Sequence, residues 1–359
     1  MLQYKAAITK ATQAADTVEE PLKKMYEDNN MFTYDIELTE EYDEISKLEG
    51  VDVATVDVVS YTHALPPFLT LPPPVTEQGM AGGLENASLR HIEFVPIAHD
   101  AERPRRAQDC FTGCVYVHAE KLLLADWTNG VVEIINKFGI VADTLAMEKP
   151  PWGAALVCED RAVVTCPKAR KVFFLETEPH LHVMSYFTTD CECFGVCKIG
   201  DNYACTCDPW SKSSSVKIFS QTGEVITTIQ ADSIGQPYFR CPLHICSDFF
   251  NSCMYITDAT ADCVYGITPQ GDILFCYTHK ELDYPTGIET DRNNRVYVCG
   301  RYSKNIQILS NLGQLLETLW DSEGLQSPSA ISFHPHGDHA AVTDLDGNTA
   351  MGFWKLSLA

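Results

Sequence analysis

A strand-turn-strand unit recurs six times in the second part of this 359-residue chain. The copies are "LLLADWTNGVVEII" (122–135), "AVVTCPKARKVFFL" (162–175), "YACTCDPWSKSSSVKIF" (203–219), "MYITDATADCVYGI" (254–267), "VYVCGRYSKNIQIL" (296–309) and "AAVTDLDGNTAMGFW" (340–354). Each has an apolar run ending in an anchor residue, then a turn, then a second apolar run. The anchors are Asp126, Cys166, Cys207, Asp258, Gly300 and Asp344, spaced 40, 41, 51, 42 and 44 residues apart. The third copy carries a four-residue insertion in its turn. A second landmark precedes five of the copies: "PWGA" at Pro151, "CFGV" at Cys193, "PLHI" at Pro242, "PTGI" at Pro285 and "PSAI" at Pro328. Turn signals such as "QTGEV" and "PQGDI" follow, so each unit reads as about four short strands in roughly 42 residues. One such sheet cannot bury both its faces alone. Repetition at this period therefore predicts sheets stacked around an axis, a six-bladed β-propeller over 88–359. The last copy is short of an outer strand. The apolar segment "SLRHIEFVPI" (88–97) is expected to supply it and to close the ring without an open edge.

The region before the repeats has another character. Met1, Tyr4, Ile8, Ala11, Ala15, Val18, Leu22, Met25, Asn29, Phe32 and Ile36 alternate spacings of three and four, the seam of a coiled coil or of a bundle helix, interrupted at Pro21. Residues 1–48 are thus expected to form a helical, coiled-coil-like segment through which the chain oligomerises. Residues 49–87, with "LPPFLTLPPPVTEQGMAGG", read as a Pro/Gly-rich linker.

The repeat pattern of an apolar strand, an acidic or glycine anchor, a turn and a Val-x-Ile strand, with a "P-x-G-I" landmark, resembles NHL repeats. The stretches nearest to it are 284–319 and 122–139. The order of helical seam, linker and propeller resembles the C-terminal part of tripartite-motif (TRIM) NHL proteins. That resemblance implies a propeller that binds a protein or RNA on one face, as in the substrate-recruiting part of a ubiquitin-system protein. TRIM proteins begin with a zinc-binding RING and B-boxes, which need Cys and His ligands. All 15 cysteines here lie from Cys110 onward. Ligase activity is therefore not carried over, and no enzyme activity is expected.

Charge narrows the partner. The formal net charge is −23, and residues 110–359 carry 17 Lys/Arg against 29 Asp/Glu. That argues against general nucleic-acid or anionic-membrane binding. No signal peptide or transmembrane segment is evident, so a cytoplasmic protein with mostly free thiols is expected. In antiparallel blades all six anchor turns should share one face. With the loops between blades, they offer Trp127, Lys168, Arg170, Lys171, Trp210, Lys212, Tyr238, Arg301, Tyr302 and Lys304 as partner-binding residues. Aromatic and Arg side chains favour a protein or peptide partner. Single-stranded RNA, bound by stacking and phosphate contacts, is the alternative on the same face.

No nucleotide, hydrolase or metalloprotease motif occurs, and no catalytic residue, cofactor or metal is assigned. A metal-dependent propeller lyase or hydrolase is a further alternative; it would need carboxylates or histidines converging on the central channel. "HPHGDH" (334–339) reads as a surface turn, as does "TDLDGN" (343–348). In "CECFGVCKIGDNYACTC" (191–207), the cysteines mostly fill ordinary repeat positions: Cys205 an apolar strand slot, Cys193 the landmark proline slot, Cys197 the slot of Ala155, Cys246, Glu289 and Ser332, and Cys207 the anchor slot. Cys191, Cys193 and Cys207 should nevertheless meet at the recognition-face end of one blade, as a redox-sensitive pair or a thiolate site.

Overall fold

The computed structural model describes residues 89–97, 110–117, 121–232, 234–248, 250–320, 326–334, 339–344 and 352–358. The expected helical segment 1–48 and linker 49–87 lie outside them. No helix among the described residues is long and apolar enough to cross a membrane.

The repeats form six four-stranded antiparallel sheets, a β-propeller. Blade one runs outward through Phe111–Val117, Lys121–Asp126, Val131–Asn136 and Val141–Ala146. The inner strands of blades two to six are Ala154–Cys158, Cys193–Ile199, Pro242–Ser247, Pro285–Thr290 and Pro328–Phe333. Each inner strand neighbours the next, and the sixth neighbours the first. Blade six takes its outermost strand from Leu89–Pro96, which pairs with Gly352–Leu358. The segment expected to close the ring does so.

Landmark and anchor are cross-strand partners. Cys193 stands opposite Cys207, Pro242 opposite Asp258, Pro285 opposite Gly300 and Pro328 opposite Asp344. The anchor carboxylates stitch this end. Asp258 accepts the N–H groups of Arg240, Cys241 and Ala261, and Asp126 accepts those of Cys110, Thr128 and Asn129. The anchor is acidic so often because a carboxylate can satisfy several backbone donors at once.

The seams between blades hold the fold. Six apolar clusters fill them, one per seam; Val163, Val172, Phe187, Tyr203 and Phe219 represent the cluster between blades two and three. Val95 and Ile97 are buried in the seam between blades six and one.

A hydroxyl relay crosses every seam. In four blades the residue before the anchor is Thr165, Thr206, Thr257 or Thr343. Its hydroxyl accepts an N–H of its own inner strand (Gly153, Gly195, His244 or Ala330). It then donates to a carbonyl of the next inner strand (Phe194, Leu243, Thr286 or Phe111). Blades one and five have Ala125 and Cys299 at this position. There Thr112 and Thr286, on the inner strands, donate instead to Trp152 O and Pro328 O. All six seams thus keep one hydroxyl-to-carbonyl bond.

The landmark glycine follows from the same crowding. A Cβ on Gly195 would stand 2.7 Å from the Leu243 carbonyl oxygen and 2.8 Å from the His244 Cα.

Candidate functional site

At the anchor end a seventh apolar cluster lies outside the seam clusters. Phe194, Cys241, Leu243 and Ala259 form its floor, and Trp152 and Tyr284 pack on it. Trp152, just ahead of the inner strand of blade two, and Phe194, in that of blade three, occupy the same repeat slot, directly before the landmark glycine. Their rings therefore turn toward one another across a seam.

Four rings make a continuous chain. Trp127 meets Trp152 at 5.1 Å between centroids, Trp152 meets Phe194 at 5.1 Å, and Phe194 meets Trp210 at 5.5 Å. Interplanar angles of 82°, 72° and 81° make every contact edge-to-face, the arrangement that the ring quadrupole favours. In blade five Tyr284 and Tyr302 lie 4.7 Å apart, with the Arg301 guanidinium 5.9 Å and 5.4 Å from their centroids. Trp210 and Tyr302 remain 56% and 57% exposed. The buried Trp152 Nε1 has no hydrogen-bond partner.

The backbone is strained where it presents these rings. Trp210 has φ +63° and Tyr284 has φ +53°. Left-handed backbone is unfavourable for bulky residues and persists only when neighbours enforce it. Around Trp210 the enforcement comes from Ser214, whose hydroxyl donates to Asp208 O and Ser211 O. Cys207 pairs with Ser215, eight residues on, where Asp126, Cys166, Asp258 and Gly300 pair five residues on, so the turn that makes room for this loop is three residues longer, not the four expected. At Tyr284 the backbone N–H donates to Asp262 Oδ1 at 2.8 Å.

The cations expected on this face are mostly engaged. Lys168 pairs with Glu192 and Lys171 with Glu148, each at 2.8 Å. The Glu148 carboxylate also raises the Lys171 pKa. Arg301 donates to Ser327 Oγ, and Lys304 to Gln326 Oε1. Arg170 and Lys212 are exposed. Tyr238 packs with Phe239 against the cluster between blades three and four. The structure thus brings together Trp127, Trp210, Arg301 and Tyr302 with Trp152, Phe194 and Tyr284. Trp152 and Tyr284 were hidden in landmarks read as structural; an aromatic directly before Gly153 or Pro285 was the available signal.

The inner strands enclose a cavity of ≈ 370 Å³. Cys114, Cys197, Cys246, Glu289 and Ser332 contribute to its lining. Burial raises the Glu289 carboxyl to about 7, and Glu289 Oε1 accepts the Thr290 N–H at 3.0 Å. His244, also in the lining, is lowered to about 4 by burial. His334 and His339 stack at 4.2 Å between centroids, against Tyr116. Residues 335–338 of that turn lie outside the described ones. Among the described residues, one set of three His, Cys, Asp or Glu donors converges closely enough for a metal, and it is Cys191, Cys193 and Cys207, not the channel.

The six repeated four-stranded sheets define a β-propeller. The chain is similar to a streptogramin B lyase structure at TM-score 0.54 and 11% identity, over 75% of this chain and 98% of that one. A protein of unknown function from Bacteroides thetaiotaomicron matches at TM-score 0.58 and 13% identity, over 75% and 76%. A catalytically inactive virginiamycin B lyase from Staphylococcus aureus with quinupristin matches at TM-score 0.52 and 11% identity, over 75% and 99%. Identities this low carry the fold alone. No family profile and no curated protein matches the sequence.

Proposed function

We propose that the chain is a non-catalytic binding module that recognises a protein or peptide on the anchor end of the propeller. The observation that carries this reading is the ring chain Trp127–Trp152–Phe194–Trp210, facing Tyr284, Tyr302 and Arg301 over an apolar floor. Large aromatics with an Arg anchor are what protein interfaces use for most of their binding energy. The strain held at Trp210 and Tyr284 supports it further, because such backbone concentrates at sites of function. RNA binding is the weaker reading: Lys168 and Lys171 are already neutralised by Glu192 and Glu148. The narrower role, substrate recruitment in a TRIM-NHL-like ubiquitin-system protein with oligomerisation through residues 1–48 and a cytoplasmic location, rests on the sequence resemblance.

The test is affinity capture from cells with the wild type and a Trp210→Ala/Tyr302→Ala variant. Partners should be lost from the variant, with unfolding midpoints unchanged. The same partners captured by both proteins would refute this face. Binding of single-stranded RNA that weakens steeply with salt would favour the alternative.

A second reading has its own observation, the half-buried Glu289 carboxyl and the buried His244 in the channel. These groups suit a small polar ligand, and the enzyme alternative needs such a site. Metabolite-pool binding by the wild type but not by Glu289→Gln would support it.

A further inference from the structure

Three thiols meet at the anchor end of blade three. Cys191 Sγ lies 3.8 Å from Cys193 Sγ, which lies 3.7 Å from Cys207 Sγ, and all three sulfurs fall within 4.8 Å of one another. We propose that Cys191, Cys193 and Cys207 form a three-thiolate site for one soft, thiophilic monovalent cation, Cu(I) in preference to Zn²⁺.

Geometry carries the site. With metal–sulfur bonds of about 2.3 Å, sulfurs stand about 4.0 Å apart in a planar trigonal site and about 3.8 Å apart in a tetrahedral one. Two of the three sulfur–sulfur distances, 3.8 and 3.7 Å, already match that spacing before any ion arrives, and the third is within 4.8 Å. Their backbone is fixed on every side. Cys193 and Cys207 are directly opposed across the inner hairpin. Thr189 Oγ1 donates to Cys191 O at 2.7 Å. Glu192 N donates to Asp208 Oδ1 and Asp208 N to Glu192 O, each at 2.9 Å. These hydrogen bonds hold the backbone that carries the three sulfurs in place.

Ligand number chooses the ion. A structural Zn²⁺ site takes four ligands. The described residues bring three donors within 4.8 Å of one another here, all buried to 2% exposure or less; the Cys205 thiol neighbours Cys193 but does not join that mutually close set. Thiolates select soft ions, and Cu(I) is the soft first-row cation among them. Loading converts the three thiols to thiolates and releases their protons to solvent, so uptake strengthens as pH rises.

The test uses the reduced, full-length protein under anaerobic conditions. Cu(I) and Zn²⁺ are titrated separately against chromophoric chelators, and the copper-loaded protein is examined by X-ray absorption. The background is a Cys158→Ser/Cys276→Ser variant, which removes the two exposed thiols. One equivalent of Cu(I) should be retained, with three sulfur scatterers. Cys191→Ala and Cys207→Ala should each weaken retention by about 100-fold or more, and Cys205→Ala should leave it unchanged. A shell without three sulfurs would overturn the site on the unsubstituted thiols alone, even if the Ala variants fail to fold. Copper retention unaffected in Cys191→Ala and Cys207→Ala would overturn it too. Zn²⁺ held as tightly as Cu(I) would overturn the choice of ion.

Discussion

Thr206→Val isolates the relay that joins the blades. The swap removes one hydroxyl and keeps the branched shape. Thr206 is fully buried. Its hydroxyl accepts the Gly195 N–H at 2.8 Å and donates to Leu243 O at 3.1 Å. Valine leaves both backbone groups without that partner. An unmet buried group costs about 1–3 kcal/mol, and the added methyl returns about 0.8 kcal/mol. The net loss should be about 3 kcal/mol, a fall of about 6–12 °C in Tm for a domain of this size. Urea unfolding followed by fluorescence is the assay, and the midpoint should fall at constant m-value. Thr206→Ser is the control, because it keeps the relay and loses one methyl, about 1 kcal/mol. If valine and serine destabilise equally, the relay is not what holds the seam.

Other outcomes follow from the same geometry. Gly195→Ala should destabilise by about 1–3 kcal/mol, since its Cβ would meet the Leu243 carbonyl oxygen and the His244 Cα; thermal melts check this. Glu289 binds its proton more tightly folded, at about 7, than unfolded, so its contribution to stability is complete below the unfolded value and is lost as pH rises through about 7. Glu289→Gln should remove that loss, gaining stability at pH 8 but not at pH 4.5 in urea titrations. His244 has the opposite sign: lowered to about 4, it contributes stability above its unfolded value that is lost as pH falls. His244→Gln should be less sensitive than wild type between pH 6.5 and 4. Ile97→Ala should cost about 2–4 kcal/mol by opening a void in the seam that closes the ring, read as a lower urea midpoint.

The architecture was legible because it repeats. Six copies supply six readings of one sheet, so the number of blades and the order of landmark, anchor and turn within each could be read from the sequence. The closing strand was legible from bookkeeping of strands alone. The site was less so, because its parts meet only across seams. Lys168 and Glu192 are 24 residues apart in sequence, and no local pattern shows that one cancels the other. Trp152 lies in a landmark whose glycine has a packing reason, which masked its neighbour's surface role. Glu289 did carry a signal: a carboxylate in the slot where other copies place Ala155, Cys197, Cys246 and Ser332. Its meaning depends on a channel that exists only once the six inner strands stand together.

The closing strand also imposes an order in time. Leu89–Pro96 leaves the ribosome before any complete blade, yet its hydrogen-bonding partner, Gly352–Leu358, is made after every other described strand of the propeller. Until then one early strand and one blade edge wait unpaired, a hazard for association with other nascent chains. A chain stopped short of Gly352 would keep most of its blades and lose the clasp. Such products should be recognised by their tendency to pair with one another rather than by loss of strand content.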